Sequence, residues 1–155
     1  MGDFTLCHIF NGKMLLLKKA TRGVSKDKWN GLGGKIDDGE TVEHCATREV
    51  FEETGLVVDG LFKHGKLNFH MDGKEELSFS VHLFSTKSFS GELKQTDEGE
   101  LKWFDVGSLP LNDMWDDDIY WIEYMLKGDR FDADFYYDKE NKVVVKHSVD
   151  LIDGN

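Results

Sequence analysis

The sequence predicts one α+β domain, a mixed β-sheet covered by helices. Short runs rich in β-branched and aromatic residues lie before, between and after two segments of helical periodicity. No linker, repeat or low-complexity tract divides the 155 residues, and 39% hydrophobic content is enough for a real core.

The elements follow in order. "FTLCHIF" and "KMLLLKK" flank "NG", a hairpin signal. "TRGVSKDK" is a polar loop, and "WNGLGGKIDDGE" is glycine-rich with a turn at "DDG". "TVEHCATREVFEETG" is a helix with Thr41 as N-cap, Glu43 in the first turn and Gly55 as stop. "VVDGLFKHGKLNFHM" and "ELSFSVHLFSTKSF" are strand runs joined by a turn at "DGKE". "ELKWFDV" is a shorter strand, followed by the sole proline, Pro110. "DDDIYWIEYMLKG" is a second helix with an acidic first turn and Gly128 at its end. "RFDADFYYD" and "KVVVKHSVD" form the last strand pair.

A formal net charge of -11 opposes binding to nucleic acid polymers and anionic membranes. A small phosphorylated ligand remains compatible, because a divalent cation reverses the local sign. Cys7 and Cys45 are expected as buried free thiols, which fits a reducing cytoplasm, and no Cys/His cluster suggests zinc. No signal peptide or membrane-spanning segment is expected.

The first helix poses the central question. Val42, Cys45 and Ala46 make an inward stripe, and its continuation is Glu49, Glu52 and Glu53. Phe51 lies opposite and needs packing of its own. A solvated acidic face is the plain alternative. It fits poorly, because like charges on a partly buried stripe demand raised pKa values or a cation. Three carboxylates in one and a half turns suit a hard, oxygen-seeking ion, Mg²⁺ or Mn²⁺. The glycine loop matches neither the dinucleotide fingerprint nor the P-loop, since Ile36 stands where each needs another residue. It remains a tight loop whose backbone can approach a ligand closely.

These residues resemble the Nudix box, G-x5-E-x7-R-E-U-x-E-E-x-G-U with U aliphatic. Gly34, Glu40, Arg48, Glu49, Val50, Glu52, Glu53, Gly55 and Leu56 fill every fixed place. The resemblance implies the Nudix fold, a mixed sheet between helices spanning 1–155, and hydrolysis of nucleoside diphosphates linked to another moiety with Mg²⁺ or Mn²⁺. It implies metal binding by Glu49, Glu52 and Glu53 with the Gly33 carbonyl. Arg48 would hold a catalytic carboxylate, and Glu40 would support the loop.

"WNGLGGK", "TDEGELKWF" and "DMWDDDIYW" are similar to segments of MutT-like enzymes that hydrolyse oxidised purine nucleoside triphosphates such as 8-oxo-dGTP. That similarity implies a purine stacked on Trp115 and read by Asp117 and Asp118. It implies substrate contacts from Thr5, Lys19, Asn30, Gly33, Gly34 and Lys35. Glu98 would be a further metal ligand and, after Glu53, the second choice of general base. Asp116, Val24, Leu32 and "KLNFHMDG" depart from the purine-enzyme pattern. Plain readings of the same residues stand beside these. Trp115 would be a core aromatic, Asp116 to Asp118 dipole-stabilised helix-start residues, Glu98 a turn residue and Lys19 a solvated strand end.

The function expected is therefore a cytoplasmic, metal-dependent nucleoside triphosphate pyrophosphohydrolase, with a monomer favoured. The alternatives are a Nudix hydrolase of a pyrimidine or pterin triphosphate or a nucleotide sugar, and a non-catalytic nucleotide-binding regulator.

Overall fold

The computed structural model describes residues 2–97 and 99–152. β1 (Phe4–Asn11) and β2 (Met14–Ala20) form the expected hairpin. β3 (Trp29–Asn30) leads into the glycine loop, and α1 (Val42–Thr54) follows. Its ends are those read from sequence. The Thr41 side chain accepts from the His44 N–H, and Gly55 closes the helix in the left-handed region at φ 80°.

The two long strand runs each divide. The first gives β4 (Val57–Asp59) and β5 (Phe62–His70), separated at Gly60, and the second gives β6 (Phe79–Thr86) and β7 (Ser88–Ser90). β4 and β7 pair into a small two-stranded sheet. β8 (Gly99–Asp105), α2 (Asp118–Leu126), β9 (Phe131–Tyr137) and β10 (Val144–Leu151) complete the chain. α2 starts at the last of its three aspartates. Asp117 sits at the N-cap position, but its carboxylate makes no cap bond because it is engaged elsewhere.

The main sheet is mixed, as predicted. Its order is β10-β9-β5-β6-β1-β2, and both β3 and β8 pair with β2. The β1–β6 and β5–β9 pairs are parallel and the others antiparallel. Strand alternation sorts side chains between its two faces. Cys7, Ile9, Leu16, Phe84 and Leu101 pack with Ala46 and Val50 of α1. Leu15, Leu17, Leu83, Phe131 and Phe135 pack with Trp121, Ile122 and Met125 of α2. Each helix thus covers one face, and adjacent residues of one strand serve different cores. Phe51 finds no such packing. It is 55% exposed on the outer side of α1, because the helix has only one sheet to lie against.

Cys7 and Cys45 are buried free thiols, and burial pushes the Cys7 thiol up to about 12. His8 is buried on the α2 face, edge-on to Trp121 at 5.7 Å. Burial, with a contribution from His64, pushes its pKa from 6.5 down to about 3. The unfolded chain therefore takes up a proton that the fold refuses over that range. His8's stability contribution is complete above about 6.5 and declines as pH falls toward 3. The slope is at most about 1.4 kcal/mol per pH unit for one group. Urea unfolding at several pH values should show a shallower acid limb below pH 6.5 for His8→Leu than for wild type. Parallel limbs would mean that His8 is not held neutral.

Candidate active site

The glycine loop and α1 are joined through one guanidinium. Arg48 donates through Nε to Glu40 Oε2 at 2.7 Å and through Nη2 to Glu40 Oε1 at 3.0 Å, a two-pronged pair. Its Nη1 reaches Glu49 Oε2 at 3.3 Å and Glu52 Oε1 at 3.2 Å, and Nη2 also donates to the Lys35 carbonyl at 3.3 Å. Glu40 Oε1 accepts from the Asp37 N–H at 3.0 Å, which closes the "DDG" turn onto the helix. The Arg48 bonds, then the Asp37 N–H, hold the Glu40 carboxyl well below the usual carboxylate range.

The glycines are there because the loop lies against β1 and α1. A Cβ on Gly33 would come within 1.9 Å of the Thr5 carbonyl oxygen, and one on Gly34 within 2.4 Å of Glu49 Oε2. The Gly34 carbonyl accepts from the Thr5 N–H at 2.9 Å. Any side chain at either position would force the loop away from the carboxylates.

The inward stripe holds in part. Glu53 is 2% exposed and Glu49 half-buried, whereas Glu52 turns outward toward Arg48. Burial pushes the Glu53 carboxyl up to about 7, with Lys18 opposing the shift and Glu49 adding to it. Lys18, which the sequence reading passed over, places Nζ 3.1 Å from Glu53 Oε1. That contact is an ion pair without hydrogen-bond alignment, and among the described residues Oε1 is buried with no hydrogen-bond partner.

Among the described residues, no three His, Cys, Asp or Glu side chains stand close enough together to hold a metal ion. The donor set nevertheless suits a hard divalent cation. Glu49 and Glu53 interact, Glu53 carries an orphaned buried oxygen, and the glycine backbone touches Glu49. Arg48 and Lys18 supply the positive charge these carboxylates require in this state.

The second cluster lies on the α2 face. Trp115 is half-buried, edge-on to Tyr137 at 5.9 Å, and its Nε1 donates to Ser25 Oγ at 3.0 Å. The Lys28 ammonium lies 5.3 Å from its ring centroid. Asp117 and Asp118 are both buried. Asp117 accepts from Trp121 Nε1 at 2.8 Å and from the Tyr137 hydroxyl. Burial raises both carboxyls. For Asp117 the Tyr137 and Trp121 bonds oppose the rise, whereas for Asp118 the neighbouring Asp117 charge reinforces it. Both carboxyls favour the protonated form, and the member of the pair that holds a proton can donate.

The other predicted residues divide between the faces. Lys19 lies over Trp29 at 5.6 Å, and Asn30 pairs with Lys18 across β2–β3. Thr5 is buried toward α1, its hydroxyl 3.3 Å from Cys45 Sγ. Glu98 lies outside the described residues. Asp116 turns away from the pair and accepts from the Val144 N–H at 2.7 Å. Val24 is exposed, and Leu32 is in the α1 core. The residues the sequence reading missed are Lys18, Lys28 and Tyr137. Only for Lys18 was a signal available, since a lysine two places after Leu16 must share its face. A separate open cavity of about 650 Å³, lined in part by Phe10, Lys13, Phe62, His64 and Lys127, contains none of the predicted site residues.

The chain is similar to known proteins. The NUDIX domain model matches residues 3–125. The chain is 40% identical over 149 residues to an oxidized purine nucleoside triphosphate hydrolase of Danio rerio, covering 96% of this chain and 94% of that one. It is 36% identical over 151 residues to the protein of that description in Mus musculus, covering 97% and 96%. The crystal structure of a MutT protein from Bacillus halodurans superposes with a TM-score of 0.82 at 23% identity, covering 97% of this chain and 98% of that one. That last likeness bears on the fold.

Arg48→Lys tests the guanidinium, because it keeps the charge and removes the fork. Turnover should fall about tenfold or more, with a lower Tm. Near-wild-type turnover in Arg48→Lys would show that charge alone suffices.

Proposed function

The chain belongs to the NUDIX family and is a Nudix hydrolase, and we propose that it cleaves oxidised purine nucleoside triphosphates such as 8-oxo-dGTP to the monophosphate and pyrophosphate. The observation that carries the substrate reading is the buried Asp117–Asp118 pair beside Trp115. The two relatives named for oxidized purine nucleoside triphosphate hydrolysis support it over almost the whole chain.

Stacking on Trp115 is worth about 1–3 kcal/mol and tolerates any base. Choice of base must come from hydrogen bonds. A protonated Asp118 offers a donor beside the acceptor oxygens of Asp117, which suits a purine edge carrying both kinds of group. Lys28 lies against one face of Trp115, so a stacked base would take its place or share the ring with it. Thr5, Lys19, Asn30 and Lys35 complete the substrate contacts in this reading.

Glu49, Glu52 and Glu53, with the Gly33 carbonyl and Glu98, are the residues that would hold a divalent cation, Mg²⁺ or Mn²⁺. Bound there, such an ion would neutralise phosphate oxygens and lower the pKa of an attacking water. Glu53 is the first choice to take that water's proton, since it is the most deeply buried of the three helix carboxylates. Glu98 is the second. Arg48 fixes the orientation of Glu49 and Glu52 through the bonds described. The backbone of Gly33 and Gly34 can approach phosphate closely because neither bears a side chain.

We take residues 1–155 as one domain acting as a cytoplasmic monomer on a small nucleotide rather than on a nucleic acid polymer. The net charge of -11 and the two buried free thiols support this. Among the described residues, no helix is long and apolar enough to cross a membrane.

The test is kcat/KM for 8-oxo-dGTP, dGTP and dCTP in wild type and in Asp118→Ala. Wild type should prefer the oxidised purine. Asp118→Ala, which removes donor and acceptor together, should lose about tenfold to a hundredfold on it, the cost of leaving a buried hydrogen-bonding partner unpaired, and change little on dCTP. Equal losses on all three substrates would remove the pair from base recognition.

A further inference from the structure

We infer that Lys18 is a built-in counter-ion of the metal site: it neutralises Glu53 while no metal is bound and must leave that carboxylate for a divalent cation to enter. This rests on the reading of Glu49 and Glu53 as metal ligands.

Strand register places the lysine. Leu15 and Leu17 of β2 face the α2 core and Leu16 the α1 core, so Lys18 projects toward α1. Three fully buried leucines precede it, and its own side chain is only 16% exposed. A lysine this enclosed is uncommon unless it is paired. Its Nζ lies 3.1 Å from Glu53 Oε1, on a side chain that is 3% exposed.

A buried carboxylate beside a second one needs a positive charge close by. Two cations can supply it, and they exclude one another. A bound metal would sit roughly 2.0–2.6 Å from a carboxylate oxygen. The ammonium already stands against Oε1, and two cations that close repel strongly where water is scarce. One must displace the other.

The two basic residues of the site are built differently for this. Arg48 is held by a fork to Glu40, by Glu49 and Glu52, and by the Lys35 carbonyl. It stays. Among the described residues, Lys18 has one charged partner, Glu53, and no aligned hydrogen bond to it. Its stem is long, with freely rotating bonds, and the ammonium is a point charge that needs no fixed approach angle. Lys18 is the cation that can move. The fold thereby exchanges some metal affinity for stability of the metal-free state.

The experiment measures Mn²⁺ binding to the full, nucleotide-free chain by electron paramagnetic resonance, which reads free Mn²⁺ directly. Lys18→Met keeps the apolar stem and removes the charge. It should bind Mn²⁺ about tenfold more tightly than wild type, because a like charge beside the ion has been removed, and its metal-free Tm should be lower. Lys18→Arg, which keeps a cation, should bind no more tightly than wild type. A Lys18→Met protein with unchanged or weaker Mn²⁺ affinity overturns the inference. A measurement on wild type covers a variant that fails to fold. Amine acylation of Lys18, read by peptide mass spectrometry, should increase when Mn²⁺ is added, and unchanged acylation also overturns the inference. Glu53→Gln separates the two levels. If it leaves wild-type Mn²⁺ affinity unaltered, the carboxylates are not the metal site, and the underlying reading fails rather than the role of Lys18 alone.

Discussion

Three glutamates within five residues of one helix repel each other, and the cations that hold them shape everything around the site. Arg48 gathers Glu40, Glu49 and Glu52 with one planar group. Because Glu40 also binds the Asp37 N–H, the same guanidinium ties the glycine loop to α1. The loop can lie that close only with glycine at 33 and 34. Remove the fork, and the carboxylates, the loop and the helix start lose their common anchor. Glu53 sits deeper and depends on Lys18 instead.

The sheet separates the glutamate cluster from the aspartate pair. Successive residues of β2 face opposite ways, so Lys18 meets Glu53 under α1 while Lys19 lies over Trp29 on the α2 side. The aspartate pair at the start of α2 is buried among Trp121 and Tyr137, away from the glutamates of α1.

Much of this was legible in the sequence, for reasons that differ by element. The glutamate helix was readable because its cap and its stop are local features that no distant contact overrides, whereas its carboxylate stripe held for Glu49 and Glu53 but not for Glu52, which turns outward to Arg48. The mixed sheet between helices followed from strand runs placed on both sides of each helix. Other features depended on residues far apart in the chain. Tyr137 reaches Asp117 across 20 positions and Lys28 reaches Trp115 across 87, and no periodicity announces either contact. The start of α2 was placed too early because acidic residues suit any helix N-terminus, whereas Asp117 is occupied by Trp121 and Tyr137 instead. Phe51 was expected to be packed, yet it lies on the side of α1 that faces no sheet.

The central claim is that the carboxylates held by Arg48 and Lys18 are the cation site of a nucleotide hydrolase. Anomalous diffraction from crystals grown with Mn²⁺ and a non-hydrolysable purine triphosphate tests it most directly. The account predicts an anomalous peak bounded by Glu49, Glu53 and the Gly33 carbonyl, next to the triphosphate, with Arg48 still on Glu40. A peak held by other residues, or a triphosphate bound with no Mn²⁺ against α1, would contradict it.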